Sequence, residues 1–185
     1  MRTSIKVRPY CFPQPVIMIA TYNEDQSCNV MNAAWGMSVD MNKMAICISQ
    51  SHKTCANILR EKACSIAFAT SEYVKEADYF GIVSGNQIAD KLKHTKLTHS
   101  PCETVNAPMI NEFKMALECS LESYDFESEI MILEIKNVSV DDSILNDHSI
   151  DILKLDPICY DASNHQYLKL GEVVGKAFSD GKKLI

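Results

Sequence analysis

The sequence predicts a mainly β protein: antiparallel strands closed into a barrel, with a few short helices. Three observations carry this expectation. Met115, Leu117, Cys119 and Leu121 alternate with Ala116, Glu118, Ser120 and Glu122, the two-residue period of a strand. The turn "YDFES" then leads into "EIMILEIKNVSV", so these two runs are expected to pair as an antiparallel hairpin. No strand–helix–strand rhythm long enough for a doubly wound sheet occurs, and no G-x-G-x-x-G is present. About six or seven strands of this kind lose their exposed edges most economically by closing on themselves.

Taken in order, Pro13 and Pro15 lead into "VIMIATYN", a buried strand, and "NEDQS" is a turn. "CNVMNAAWGMS" reads as one irregular second strand with Gly36 as a bulge, and "MAICIS" as a short apolar strand. Thr54 is placed as the cap of a helix over residues 55–62, where Cys55, Ile58 and Leu59 form one apolar stripe. "ACSIAFAT" is a strand with one crowded and one closely covered face. Ser71 is placed as the cap of a second helix running to about Phe80. Residues 86–111 are polar, carry Pro101 and Pro108, and read as loop. "PICYDASNHQYLKLG" is a last hairpin about "DASNH", and the tail "EVVGKAFSDGKKLI" is expected to start as a short helix.

The 185 residues fit a single domain over 1–185, and 46 % apolar with 23 % charged residues is a globular balance. A net charge of −6 without any Lys/Arg block argues against nucleic acid or an anionic membrane as partner. The apolar core of the N-terminal stretch, Val16 to Ala20, is too short for a signal peptide and follows prolines, and no run is long enough to span a bilayer. A soluble, cytoplasmic protein is the expectation. The eight cysteines include no C-x-x-C and read as reduced thiols, several of them small core hydrophobes. Cys55, beside a helix N-terminus, is also open to a lowered thiol pKa and a redox role.

One junction is dense in hydrogen-bonding groups. "ISQSHKT", Ile48 to Thr54, offers three hydroxyls, an amide, an imidazole and an ammonium just before a helix. A helix N-terminus carries unpaired N–H groups and a partial positive charge, so this turn can cradle a phosphate. The competing reading is an ordinary capped turn with a solvated lysine. Neither reading is decided by the stretch alone.

Longer stretches bear on it. "PVIMIATYNEDQSCNVMNAAW", "ISQSHKTCANI", "DYFGIVSGNQIADKLKHTKLT", "APMINEFKMALECSL" and "LDPICYDASNHQYLKLGEVVGKAFSDGK", in this order, resemble the flavin reductase-like, FMN-binding split-barrel family, in particular its flavoredoxin-type members. The resemblance implies a split β-barrel homodimer holding FMN near the subunit interface. It implies phosphate contacts from Ser49, Ser51, Lys53 and Thr54, with Gln50 and His52 in the same turn. It sets the flavin ring beside the backbone of Asn32, Ala33 and Ala34, where small side chains permit close approach. It makes Ser84, Gly85, Asp90 and Lys91 part of a loop closing over the site, from the same or the partner subunit, and Tyr167 an aromatic near it. Trp35 is open to three readings: stacking near the flavin, lining the dimer interface, or core packing. Phe126-Glu127-Ser128 departs from the family's Gly-Asp-His, which removes a histidine able to position a nicotinamide.

The activity implied is an FMN-dependent oxidoreductase taking hydride from NADH or NADPH and passing electrons to free flavin or a protein acceptor. The alternative is a flavoredoxin-type electron carrier with little nicotinamide activity. A barrel binding a different ligand is a third reading, disfavoured by the intact "SQSHKT". No catalytic side chain is assigned and no metal is expected. His94, His99 and Cys102 in "HTKLTHSPC" have ligand chemistry but read as loop surface.

Overall fold

This computed structural model describes residues 1–184. Seven antiparallel strands form one curled sheet. They are β1 (Ile17–Tyr22), β2 (Cys28–Ala33), β3 (Gly36–Asp40), β4 (Lys43–Cys47), β5 (Ala63–Phe68), β6 (Met115–Asp125) and β7 (Ile130–Val140). Their spatial order is β2-β1-β5-β6-β7-β4-β3. Helix α1 (Lys53–Glu61) follows β4, and α2 (Val74–Ile82) follows β5. A smaller sheet joins Gln14–Pro15 to the last hairpin, β8 (Ile158–Asp161) and β9 (Gln166–Lys169).

The expected single strand over "CNVMNAAWGMS" is instead two strands on opposite edges of the large sheet. The chain leaves β2 at Ala34–Trp35 and enters β3, which pairs only with β4. This crossing carries the chain from one edge of the curled, open sheet to the other, and it explains Gly36. A Cβ there would stand 2.9 Å from Ile17 Cδ1 and 3.1 Å from Ile46 Cγ2, so the glycine serves close approach rather than a bulge. The bulge in this strand falls between Ser38 and Asp40.

Strand β1 is apolar throughout because both of its faces are covered. Ile17 and Ile19 join Ile46, Ile58, Ile66 and Leu133 inside the barrel, with Cys55 and Ile58 of α1 plugging that core. Met18 and Ala20 face the other way and pack with Val30, Phe80, Phe113 and Ile158 under α2 and the last hairpin. Each such fully buried side chain contributes about 1.5–3 kcal/mol.

The β6–β7 hairpin pairs as expected, Met131 with Tyr124 and Val140 with Met115, with irregularities at Ile132/Leu133 and Ile135/Asn137. Its second face is not solvated near the start. Ala116 and Glu118 are buried because residues 103–108 cover them. Glu118 accepts from Thr104 N–H and Oγ1, each at 2.7 Å, and from Asn137 Nδ2 at 3.0 Å. Burial raises its pKa, but these hydrogen bonds outweigh burial and hold the carboxyl below its ordinary value.

Other expectations shift in detail. Ser71 opens a 3₁₀ turn over Ser71–Tyr73 ahead of α2, and its hydroxyl bonds to Asp156. Residues 86–111 hold a 3₁₀ turn, Lys91–His94, and a small ladder of His99–Pro101 with Pro108–Ile110. The tail has no helix at its start and a 3₁₀ segment at Asp180–Leu184. All eight cysteines are free thiols. Among the described residues, no helix is long and apolar enough to cross a membrane.

Candidate functional site

Helix α1 begins beside the edge of the large sheet. His52, not Thr54, takes the N-cap position, and its side chain makes no capping bond. The first turn holds no acidic residue. The helix therefore presents N–H groups without intrahelical partners and a positive end that no residue of its own first turn offsets. Thr54 lies inside the first turn, buried, and accepts from Asn29 Nδ2 at 2.9 Å. Asn57 Nδ2 bonds Thr21 Oγ1 at 3.1 Å and Asn23 Oδ1 at 2.9 Å. This buried amide–hydroxyl network fixes α1 on β1 and β2, and so fixes where its N-terminus points.

The segment after α2 folds back over that N-terminus. A cleft of about 190 Å³ is lined there by His52, Lys53 and Thr54 on one side and Val83, Ser84, Gly85 and Lys91 on the other. Gly85 is required by proximity: a Cβ would stand 2.4 Å from Asn29 Oδ1 and 3.2 Å from Lys53 Cβ. Asn29 Oδ1 itself is buried and without a hydrogen-bond partner. Asn86 Nδ2 donates to Ser51 O at 2.8 Å and ties this loop to the turn before α1.

Lys91 is the unusual charge in the molecule. It is 2 % exposed, donates to Val83 O at 2.8 Å, and lies 5.8 Å above the Phe80 ring. Among the described residues it forms no ion pair. Burial pushes its pKa down to about 8. An ammonium has three donors, so a buried lysine of this kind in a cleft wall is poised for an anion.

A second cleft, about 300 Å³, shares Asn32, Gly81 and Ile82 with the first and continues it. Ala33 and Ala34, where β2 ends, form its floor, and Asp78, Tyr160, His165 and Tyr167 its rim. Asn32 Nδ2 donates to Ala77 O at 2.8 Å and pins the strand end to α2. Tyr167 Oη donates to Asp78 Oδ1 at 2.9 Å. Burial, and then the Asp78 carboxylate, push the Tyr167 phenol up to about 12, so it remains a donor.

Asn32, Ala33, Ala34, His52, Lys53, Thr54, Ser84, Gly85, Lys91 and Tyr167 thus meet along one groove. Ser49, Gln50 and Ser51 do not line it. Ser49 Oγ and Gln50 N–H both donate to Glu129 Oε1 at 2.9 Å, and Ser51 Oγ sits 3.1 Å from Ser49 Oγ. Trp35 is 55 % exposed and lies in a separate apolar groove of about 480 Å³ with Pro9, Cys11, Pro13 and Met37, so the core-packing reading fails. The substituted stretch 126–128 sits at the β6–β7 turn, outside both clefts. Cys55 is fully buried and its thiol pKa is raised by burial, which removes the lowered-pKa reading. His94 and His99 pack separately, near Tyr79 and Tyr22, and no group of three potential metal ligands occurs among the described residues.

Sequence reasoning missed Asn29, Asp78, Tyr160 and His165. Asn29 carried a signal, since asparagine is disfavoured inside a strand. The other three carried none, because they converge only through the docking of the last hairpin on α2.

A curled seven-stranded sheet with a groove between its edge, α2 and a C-terminal hairpin defines a split-barrel fold. The flavin reductase like domain matches residues 9–168, and the chain belongs to that family. Flavoredoxin of Desulfovibrio vulgaris (Miyazaki F) superimposes with a TM-score of 0.93 at 35 % identity, over 98 % of this chain and 100 % of that one. Flavoredoxin from Methanosarcina acetivorans does so with a TM-score of 0.87 at 28 % identity, over 100 % of both chains. An FMN-binding domain of a flavin reductases-like enzyme from Shewanella baltica shares the fold, with a TM-score of 0.79 at 19 % identity over 88 % of this chain and 89 % of that one. The comparison with curated proteins found no match.

Proposed function

We propose that the chain, acting as one unit over residues 1–185, is an FMN-dependent oxidoreductase. It would accept hydride from NADH or NADPH and pass the electrons to free flavin or a protein acceptor. The observation that carries this reading is the groove, with a buried, unpaired Lys91 at one end and the small floor of Ala33–Ala34 at the other. The donor set fits FMN. Lys91, Lys53, Thr54 and the N–H groups of α1 suit its phosphate. The orphaned Asn29 Oδ1, beside Gly85, suits a hydroxyl of its ribityl chain. The backbone at 32–34 permits a flat ring to lie close. When bound, FMN supplies the hydride and electron chemistry. The residues of this chain bind and orient it: Lys91 and α1 hold its charge, and Gly85 lets the loop close without a clash.

A second reading is an electron carrier that keeps FMN permanently and reacts poorly with nicotinamides. The 35 % identical flavoredoxin, aligned over its whole length, favours it. Anaerobic mixing of FMN-loaded protein with NADH, then NADPH, separates the two. Fast bleaching of the flavin's visible absorption supports the oxidoreductase; bleaching only with a reduced redox protein supports the carrier. Failure to take up FMN at all removes both.

Assembly as a homodimer belongs to the same proposal. Trp35, Met37, Val39 and Met41 are exposed on or beside the edge strand β3, and Trp35 and Met37 line the apolar groove. A second copy covering this edge would remove both an unpaired strand and an apolar patch. Sedimentation of the protein and of Trp35→Glu tests it: a dimer that the substitution dissociates is expected, and a wild-type monomer at all concentrations rejects it. A soluble cytoplasmic location fits an FMN- and nicotinamide-using protein and is part of the same reading.

A further inference from the structure

The ring end of the groove carries a second pair of polar groups. Tyr160 Oη and His165 Nδ1 are 2.9 Å apart, and Tyr167 Oη and Asp78 Oδ1 are also 2.9 Å apart. The two tyrosine rings lie 6.0 Å apart, and all four side chains line the same 300 Å³ cleft beside Ala33–Ala34. Neither Asp78 nor His165 is ion-paired among the described residues. His165 has φ 54 at the hairpin turn, a left-handed position that glycine occupies at less cost. A histidine held there supplies an imidazole that the turn itself does not need.

We propose that these two tyrosine-held groups set the reduction potential of the bound flavin in opposite directions, Asp78 lowering it and His165 raising it. The inference rests on the FMN reading above. Transfer of one hydride, two electrons and one proton, from a reduced nicotinamide leaves the nicotinamide oxidised and the flavin ring with one extra negative charge. A carboxylate in the rim disfavours that charge, and an imidazole donor favours it. His165 Nδ1 is held by Tyr160, so Nε2 is the nitrogen left for the ligand. Tyr160 and Tyr167 act through their partners as positioning residues.

The test is an equilibrium redox titration of the full, FMN-loaded chain at one fixed neutral pH, with dithionite and a reference dye. Asp78→Asn is expected to raise the midpoint and His165→Asn to lower it. Each shift reflects about a tenfold change in the ratio of affinities for oxidised and reduced FMN, which is about 30 mV for a two-electron couple. The double variant should return toward wild type. Tyr167→Phe and Tyr160→Phe should move the midpoint less, each in the direction of its partner's variant. Variants that keep FMN but shift the same way, or not at all, overturn this inference and leave the flavin site standing. A wild-type chain that takes up no FMN removes the reading and this inference together.

Discussion

The two ends of the groove are built on different principles. At the α1 end the polar groups are buried and, among the described residues, Lys91 has a carbonyl and a ring for company but no ion pair, while the first turn of α1 holds no acidic residue. At the Ala33–Ala34 end, the polar side chains of Asp78 and His165 are exposed and each is already bonded to a tyrosine. An unpaired buried cation gains much from an arriving anion because its desolvation has already occurred in the folded state. A solvated, paired group gains little on binding but still biases the charge state of whatever lies beside it. The first end should set how tightly a ligand is held, and the second what the held ligand does.

The largest effect expected is at Lys91. Lys91→Met keeps the length of the side chain and removes its charge. FMN affinity should fall about a hundredfold, the value of a charge-assisted bond of about 3 kcal/mol. Thermal stability of the apoprotein should hold or rise, because an unpaired buried ammonium is a cost to the fold. Isothermal titration with FMN, beside melting curves without it, reads both. The pH dependence has a definite sign. Burial depresses this pKa to about 8 from 10.5, so the folded apoprotein bears the cost of the charge below about 8 and is relieved of it as pH rises toward 10.5. FMN affinity should run the other way, falling as pH passes about 8. Parallel curves would break the comparison.

Gly85→Ala comes next. The added Cβ meets Asn29 Oδ1, the end of a short buried side chain, so the loop must lift away from α1. Overpacking of this kind costs about 1–3 kcal/mol, and FMN affinity should fall by about tenfold or more. Unchanged affinity would show that the loop does not close over the ligand. Thr54→Val is smaller again for the ligand but larger for the fold. It takes the acceptor from Asn29 Nδ2 in a buried network, a loss of about 1–3 kcal/mol in denaturant unfolding.

The same asymmetry governed what the sequence made legible. "SHKT" is contiguous, and its helix follows from the apolar stripe of Cys55, Ile58 and Leu59, so the α1 end could be read locally. Lys91 and Gly85 came through family resemblance; nothing in their composition announced that one would be buried and the other irreplaceable. The barrel is legible from alternation, yet the sequence places Ala34–Trp35 in the middle of a strand, because only the curl of the sheet turns a continuous apolar run into a crossing between two edges. Thr54 was misplaced by two residues because its hydroxyl is taken by Asn29, a tertiary partner that outcompetes the cap. The rim of Asp78, Tyr160 and His165 depends on docking between segments distant in sequence, for which no local pattern exists.

Glu129 gives the smallest effect and the sharpest check on where the anion site ends. Gln50 N–H, and then the Ser49 hydroxyl, hold its carboxyl below the ordinary value. The stabilisation is present above the ordinary carboxylate range and fades as pH falls through the depressed value. Glu129→Gln keeps an acceptor and drops the charge. At neutral pH a slight loss of stability is expected, vanishing in acid, where the wild-type carboxyl is protonated too. For FMN the sign should be opposite to that of the other three variants: a negative charge near His52 and the start of α1 is removed, so affinity should rise by about twofold or less, as for a screened surface charge. A fall in affinity would mean that the carboxylate arranges Ser49 and Gln50 for the phosphate. The anion site would then extend across the whole of "SQSHKT", not only its last three residues.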